Sequence, residues 1–347
     1  MYIKKIVLAI AILGLLALAG FSYYIYTNIF SANTSFSEKE EAVYVPTGAT
    51  YRTVIDSLRP LVKDIESFNL IAEKKGYPGN IKAGKFMIKA GMNNNELVNA
   101  LRSGNKPVKV NFNNQERLED LAGRVAKQIE ADSVSLLNAF KDEKYLAENN
   151  FSEAQALSMY IPNQYEFYWN TSAEDFRKRM KREYERFWTA EKREQAKKIG
   201  LSPKEVSTIA AIVQKETAKV DERPKVAGVY MNRYKNGWKL DADPTVIYAV
   251  KHKTKKWDTI IKRVLYKDLE IDSPYNTYKN KELPPGPIFM PDISSINAVL
   301  NYEDHDYYYF VADVENFGYH KFAKTLAQHN RNKREYVRWI NKKGVKR

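Results

Sequence analysis

The sequence predicts an α+β protein carried by one N-terminal transmembrane helix, and three observations point there. An uncharged run at 6–30 follows Lys4 and Lys5, long enough at about 1.5 Å per residue to cross a hydrocarbon core of about 30 Å. Between Val43 and Leu101 the apolar spacing switches twice from alternation to helical periodicity, the mark of a strand leading into a helix. From Ser202 onward a well-capped helix gives way to turns, Pro- and Tyr-rich loops and short strands, which is a mixture rather than a bundle or a barrel.

A length of 347 residues accommodates one membrane or linker element and two compact units. Hydrophobic residues make up 44%, with 15 Gly and 13 Pro, so wholesale disorder is excluded. The absence of cysteine excludes disulfides, thiolate metal sites, cysteine nucleophiles and lipoprotein acylation. A net charge of +14 favours anionic partners such as nucleic acid, lipid headgroups or an acidic polymer.

Taken in chain order, the run at 6–30 reads as an uncleaved signal anchor. Ala17-Leu18-Ala19 resembles a signal-peptidase site, but apolar character continues through Phe21, Tyr23, Tyr24, Ile25 and Tyr26, as in an anchor with an interfacial aromatic belt. A cleaved signal peptide and a buried core helix are the alternatives. The two lysines set the N-terminus in the cytoplasm, so the chain beyond about Ser31 is expected outside the inner membrane. This export argues against nucleic acid as a partner. Residues 1–31 are thus a cytoplasmic stub and single-pass anchor, and 32–42 a polar tether.

The segment Val43-Tyr44-Val45-Pro46-Thr47-Gly48, then Val54, Ile55 and Leu58, recurs as Phe86-Met87-Ile88-Lys89-Ala90-Gly91, then Leu97, Val98 and Leu101. A degenerate third copy runs from Val108 through Phe112 to Leu118, Leu121 and Val125, with Gln115 at the turn. Residues 43–112 form this small α/β region, 113–200 a helical connecting region, and 201–347 a mixed C-terminal domain. The connecting region is interrupted by the aromatic stretch 160–170 and closes with a helix expected at 173–198, whose charges form a solvated face. The segment 324–347 reads as a basic helix.

The chemistry concentrates after residue 201. Ser202-Pro203-Lys204-Glu205 combines an N-cap, a proline at the first helical position and a capping-box glutamate. Val206, Ile209, Val213 and Glu216 then follow at steps of 3, 4 and 3, so Glu216 shares the stripe that faces the interior. A desolvated carboxylate favours its neutral acid form, the state that protonates a leaving group at neutral pH. The competing reading pairs Glu216 with Lys215, Lys219 or Arg223. Further along, Pro224 opens another helix, Asn236-Gly237 turns the chain, and Asp243-Pro244 reads as a cap and first residue of a short third helix. Ser273-Pro274-Tyr275-Asn276-Thr277-Tyr278 and Leu283-Pro284-Pro285-Gly286-Pro287-Ile288 suit a sugar-binding groove, where rings lie under apolar sugar faces and amides or hydroxyls meet sugar hydroxyls. His252, His305, His320 and His329 include no pair at metal-ligand helical spacing. No Gly-flanked nucleophile elbow or Gly-rich phosphate loop is present either.

Five motifs, at 212–217, 226–233, 240–248, 273–278 and 283–288, occur in the order seen in the YceG-like endolytic murein transglycosylases, and the sequence resembles that family from about Val43 to Asn330. The closing segment around Tyr309-Phe310-Val311-Ala312, with His320, Phe322, His329 and Asn330, is similar as well. At 157–165 the chain departs from the family's usual Glu-Gly-Tyr-Leu-Phe-Pro-Asp-Thr-Tyr, although Pro162 and Tyr165 remain, and a Pro-Glu-Gly opening is missing at Asn113-Asn114-Gln115.

The resemblance implies a LysM-like region at 43–112 and a catalytic domain at 201–347, with Glu216 as the catalytic acid. Asp243, Thr245, Tyr275, Asn276, Thr277, Tyr278, Pro285, Gly286 and His320 are then the expected substrate-binding residues. It further implies cleavage of the bond between N-acetylmuramic acid and N-acetylglucosamine in peptidoglycan strands, attack by the muramyl C6 hydroxyl, and no metal or organic cofactor. Cell-wall synthases are candidate partners. A hydrolase of the same glycan, in which Asp243 or another carboxylate activates water, and a non-catalytic glycan-binding anchor are the alternatives.

Overall fold

The computed structural model describes residues 2–342; Met1 and the last five residues of the expected basic C-terminal helix lie outside that range. Helix α1 (Tyr2–Ile29) is uncharged after Lys4 and Lys5 and has no buried residue. It is long and apolar enough to cross a membrane. The chain divides into two compact units, one running to Val110 with Ala126–Asp132 and Tyr165–Ser172, the other comprising Asn111–Val125, Ser133–Gln164 and the chain from Ala173 on.

In the first unit, β1 (Glu40–Val45) is followed by α2 (Tyr51–Leu58) and α3 (Ile65–Lys74), then β2 (Gly84–Lys89) and α4 (Asn94–Ser103). β1 and β2 pair antiparallel with Val43 opposite Phe86. Alternation sends Val43, Val45, Phe86 and Ile88 inward, where Val54, Leu58, Phe68 and Leu97 close over them. Both expected strand-helix copies are present as β1–α2 and β2–α4. Their helices start where side chains satisfy free N–H groups: Thr50 accepts from the Thr53 amide, and Asn93 and Glu96 form a capping box.

The segment expected as a tether is docked in its first part. Asn33 and Thr34 are buried, and Asn33 Nδ2 donates to Asn94 Oδ1 at 2.6 Å. Asn94 Nδ2 in turn donates to the Asn28 carbonyl at 2.7 Å, tying down the end of α1. Polar composition reads as solvated chain from sequence, yet these amides find partners inside the fold.

Next along the chain, β3 (Pro107–Phe112) and α5 (Leu118–Ala126) realise the third strand-helix copy. β3 pairs with β4 (Asn163–Tyr168) instead of joining the first sheet. Between them come α6 (Ser133–Lys141), α7 (Glu143–Glu148) and α8 (Glu153–Ala156).

The single helix expected at 173–198 is two, α9 (Ala173–Phe187) and α10 (Ala190–Lys198). Trp188 is 1% exposed, and Thr189 caps α10 by accepting from the Lys192 amide at 3.3 Å. Helical spacing runs through such a break undetected, because a threonine cap restarts the same periodicity.

In the second unit, α11 (Pro203–Glu216) opens with the expected capping box between Ser202 and Glu205. Every residue from Val206 to Val213 is buried, so α11 is the central helix. Around it pack α12 (Arg223–Lys235), α13 (Asp243–Thr254) and α15 (Ile293–Leu300), with the short α14 (Tyr266–Leu269) following α13. β5 (Tyr309–Ala312) and β6 (His320–Ala323) pair antiparallel, and α16 (Leu326–Lys342) lies on them. Asp243, expected as a cap, is the first helical residue of α13, a 12-residue helix with Ala242 at the N-cap position and no side-chain cap.

Gly286 shows why its loop needs a glycine. A Cβ there would lie 1.8 Å from the carbonyl oxygen of Ala154, backbone that cannot rotate away. Gly286→Ala is therefore expected to destabilise the protein by about 1–3 kcal/mol, the usual cost of overpacking. Thermal unfolding checks it; an unchanged melting temperature would show that the loop has room.

Candidate active site

The last turn of α11 decides what the Glu216 carboxylate meets. The inward stripe of Val206, Ile209 and Val213, each 0% exposed, continues to Glu216, which is half-buried. Tyr230 of α12, itself 1% exposed, donates its hydroxyl to Glu216 Oε1 at 2.7 Å. The cations that could have neutralised Glu216 are engaged elsewhere. Arg223 Nη1 donates to both carboxylate oxygens of Asp292, at 2.9 and 3.0 Å, and to Ser294. Lys215 Nζ sits 3.6 Å from the Phe289 ring centroid and Lys219 Nζ 4.8 Å from that of Tyr319. Among the described residues Glu216 makes no ion pair, and Tyr230 is its one side-chain hydrogen-bond donor.

These surroundings set the protonation state. Burial strips hydration from the charged form and is the largest effect, while the Tyr230 hydrogen bond opposes it. The negative charge of Asp243 raises the value again, and His320 and Arg233 pull it down. The Glu216 carboxyl is pushed up from 4.5 to about 7.

Four of the sequence-predicted residues come together here. Asp243 is within electrostatic reach of Glu216, and its Oδ1 accepts from the Tyr278 hydroxyl at 2.7 Å. Burial and the neighbouring Asp243 hold that hydroxyl well above the usual tyrosine range. His320 of β6 is bound to Glu222 twice, through its backbone N–H to Oε1 at 2.7 Å and between Nδ1 and Oε2 at 2.9 Å. Burial would raise the Glu222 carboxyl, but the His320 contacts keep it below its usual value. Phe310 links the two sides, its ring edge-on to Tyr230 at 6.0 Å and to His320 at 5.0 Å.

The other predicted residues lie elsewhere. Thr245, Asn276 and Thr277 are at most 1% exposed and spend their polar atoms on the protein. Thr245 Oγ1 and Thr277 Oγ1 are 2.8 Å apart, and Asn276 Nδ2 donates to the carbonyls of Leu269 and Ile271. They brace the loop that carries Tyr278. Tyr275 and Pro285 line a separate groove of about 760 Å³ together with Arg117, Tyr248, His252 and Trp257. Gly286 packs against the Ala154 carbonyl.

Tyr230, Arg233 and Glu222 were not singled out as site residues by sequence. Tyr230 and Arg233 do share a helical stripe with Val226 and Val229, but the approach of that stripe to the end of α11 is a tertiary fact. Among the described residues no group of three or more His, Asp and Glu converges as a metal site.

Comparison with known proteins gives consistent matches. The YceG-like family profile matches residues 43–335. An endolytic murein transglycosylase of Bacillus subtilis is 31% identical over 87% of this chain and 86% of its own length. An endolytic murein transglycosylase of Streptococcus pneumoniae is 27% identical over 97% of this chain and 66% of its own. The 2.6 Å crystal structure of a YceG-like protein from Listeria monocytogenes superposes with a TM-score of 0.57 at 28% identity, covering 85% of this chain and 99% of that one.

Proposed function

The chain belongs to the YceG-like family, and from that premise we propose that it is a membrane-anchored endolytic lytic transglycosylase of peptidoglycan. It cleaves the bond between N-acetylmuramic acid and N-acetylglucosamine inside nascent strands and leaves 1,6-anhydromuramyl ends, so that strand elongation stops. The observation that carries this reading is Glu216, a carboxyl with a pKa of about 7, held by Tyr230 on one oxygen and, among the described residues, without an ion-pair partner.

Tyr230 occupies Oε1 and leaves Oε2 to the substrate. Protonated Glu216 gives its proton to the glycosidic oxygen as that bond breaks; the carboxylate then takes the proton of the muramyl C6 hydroxyl as this oxygen bonds to the anomeric carbon. One carboxyl serves in turn as acid and base, where an ordinary glycosidase uses two. Asp243, Tyr278 and His320 contact the glycan, Thr245, Asn276, Thr277 and Gly286 hold the surrounding loops in shape, and Tyr275 and Pro285 meet parts of the strand away from the cut. A hydrolase with Asp243 as water-activating base is the second reading, motivated by the proximity of Asp243 to Glu216. The Tyr278 hydroxyl on Asp243 Oδ1 favours a positioning role for Asp243.

Residues 201–347 form the catalytic domain, 113–200 connect, and the LysM-like region at 43–112, with two helices between its paired strands, holds glycan weakly. The helix α1 spans the inner membrane with its N-terminus in the cytoplasm and the catalytic domain outside, where cell-wall synthases supply new strands. Incubation with uncrosslinked glycan strands tests the activity. Mean strand length is expected to fall before disaccharides accumulate, and the new ends are expected to resist borohydride reduction. Reducible ends would favour the hydrolase, and release of disaccharides from the start would show an exo-acting enzyme.

A further inference from the structure

The loop that follows α13 carries a surface which the cleavage reading does not use. Residues 251–267 hold seven Lys or Arg against one acid, Asp258. Among the described residues none of Lys255, Lys256, Lys262, Arg263 and Lys267 has an ion-pair partner. Interleaved with them are large apolar side chains turned to solvent: Ile260 is 82% exposed, Tyr266 89% and Leu265 47%. A hollow of about 410 Å³ opens between Ile260 and Leu265, lined by Lys256, Lys262, Arg263 and Lys267 and by one acid, Asp268.

Free cations around exposed apolar and tyrosine side chains fit the boundary between lipid headgroups and acyl chains. There the apolar groups leave water, the tyrosine ring sits at headgroup level, and each Lys or Arg near an anionic leaflet gains about 1 kcal/mol. We infer that this loop is a second membrane contact, specific for anionic lipid, which holds the unit bearing Glu216 against the bilayer. The occupant is a bilayer and not a soluble polyanion because cations alone would serve the latter, whereas Ile260, Leu265 and Tyr266 have no use there. The apolar helix α1 on the same chain keeps a bilayer within reach and lowers the cost of a weak second contact. Because α13 runs from Asp243 to the loop, the contact would keep the Glu216 site within roughly one helix length, about 18 Å, of the headgroups. The cleavage reading, if it holds, then places the cut within that distance of the bilayer. The loop contact itself does not depend on that reading.

The absence of native cysteine makes site-specific spin labelling clean. The full chain is reconstituted into nanodiscs of pure phosphatidylcholine or of phosphatidylcholine with phosphatidylglycerol. Single labels at Ile260→Cys, Tyr266→Cys, Leu16→Cys and Phe317→Cys are then probed for collision with oxygen against a water-soluble nickel chelate. A label at Leu16 is expected to report hydrocarbon depth in both lipids and so to verify insertion of α1. Labels at 260 and 266 are expected to report immersion only in the anionic discs, and reversing charge with Lys262→Glu and Arg263→Glu should cut the immersed fraction by more than about tenfold. Phe317, 83% exposed between β5 and β6, has no such cluster of free cations in its own turn and should stay in water. Water exposure at 260 and 266 in both lipids would overturn the proposal. So would immobilisation by isolated peptidoglycan without immersion in anionic discs, which would assign the loop to glycan.

Discussion

Replacing Glu216 with glutamine is expected to leave a folded, glycan-binding protein that forms no anhydro ends. The amide keeps the size of the side chain, and its oxygen still accepts the Tyr230 hydroxyl at the place where Oε1 now lies, 2.7 Å away. It cannot give up a proton to the leaving oxygen. General acid-base assistance is usually worth about 10²–10⁴-fold, and this site loses both the acid and the base role with one group, so the effect should sit at or above that range. Asp243→Asn is expected to weaken binding or positioning and to retain measurable turnover. Rates on soluble glycan strands check both; activity of Glu216→Gln within about tenfold of the parent, less than general acid catalysis supplies, would make Asp243 the leading candidate.

The second large effect is a pH dependence with a definite sign. A carboxyl with a pKa of about 7 must be protonated to start the reaction, so kcat/KM should fall roughly tenfold per pH unit above neutrality. Asp243→Asn removes a negative charge that raises the Glu216 value, and the alkaline limb should move to lower pH. Stability gives an independent readout. Because the folded-state value lies above the ordinary 4.5, the folded state holds more protons than the unfolded one between those values. The stability linked to this proton is complete below about pH 4.5 and is lost as pH rises through about 7. Glu216→Gln, which carries no such charge, should therefore be more stable than the parent at pH 8, by about 1–3 kcal/mol. At pH 4 the two should match. Equal melting temperatures at both pH values would mean that Glu216 ionises as freely as a surface carboxylate.

Local signals reached a long way into this molecule. The Ser202 to Glu205 box set the register of α11, and that register carried Glu216 to the inward face, because capping and periodicity are properties of neighbouring residues. The same logic located β1, α2, β2 and α4. What stayed hidden depends on partners distant in sequence. Fourteen residues separate Tyr230 from Glu216, and only the packing of α12 on α11 brings them together. Thr245, Asn276 and Thr277 have the hydroxyls and amide that a sugar would meet, but a polar side chain does not reveal whether its partner is a ligand or its own backbone. Tyr275 likewise turns away, packing against Tyr248 with the rings tilted by 52° and their centroids 4.6 Å apart. Asn33 illustrates the same point in the first unit, where a polar stretch that reads as tether supplies a buried amide network.

The central claim is that one carboxyl cuts the strand by internal attack and that water takes no part. Digestion of glycan strands in water enriched in oxygen-18, followed by mass spectrometry of the new ends, tests it most directly. The account predicts ends lighter by one water than hydrolysed muramyl ends and without the heavy isotope, formed by the parent and absent with Glu216→Gln. Full-mass ends carrying oxygen-18 would contradict it and would identify a hydrolase.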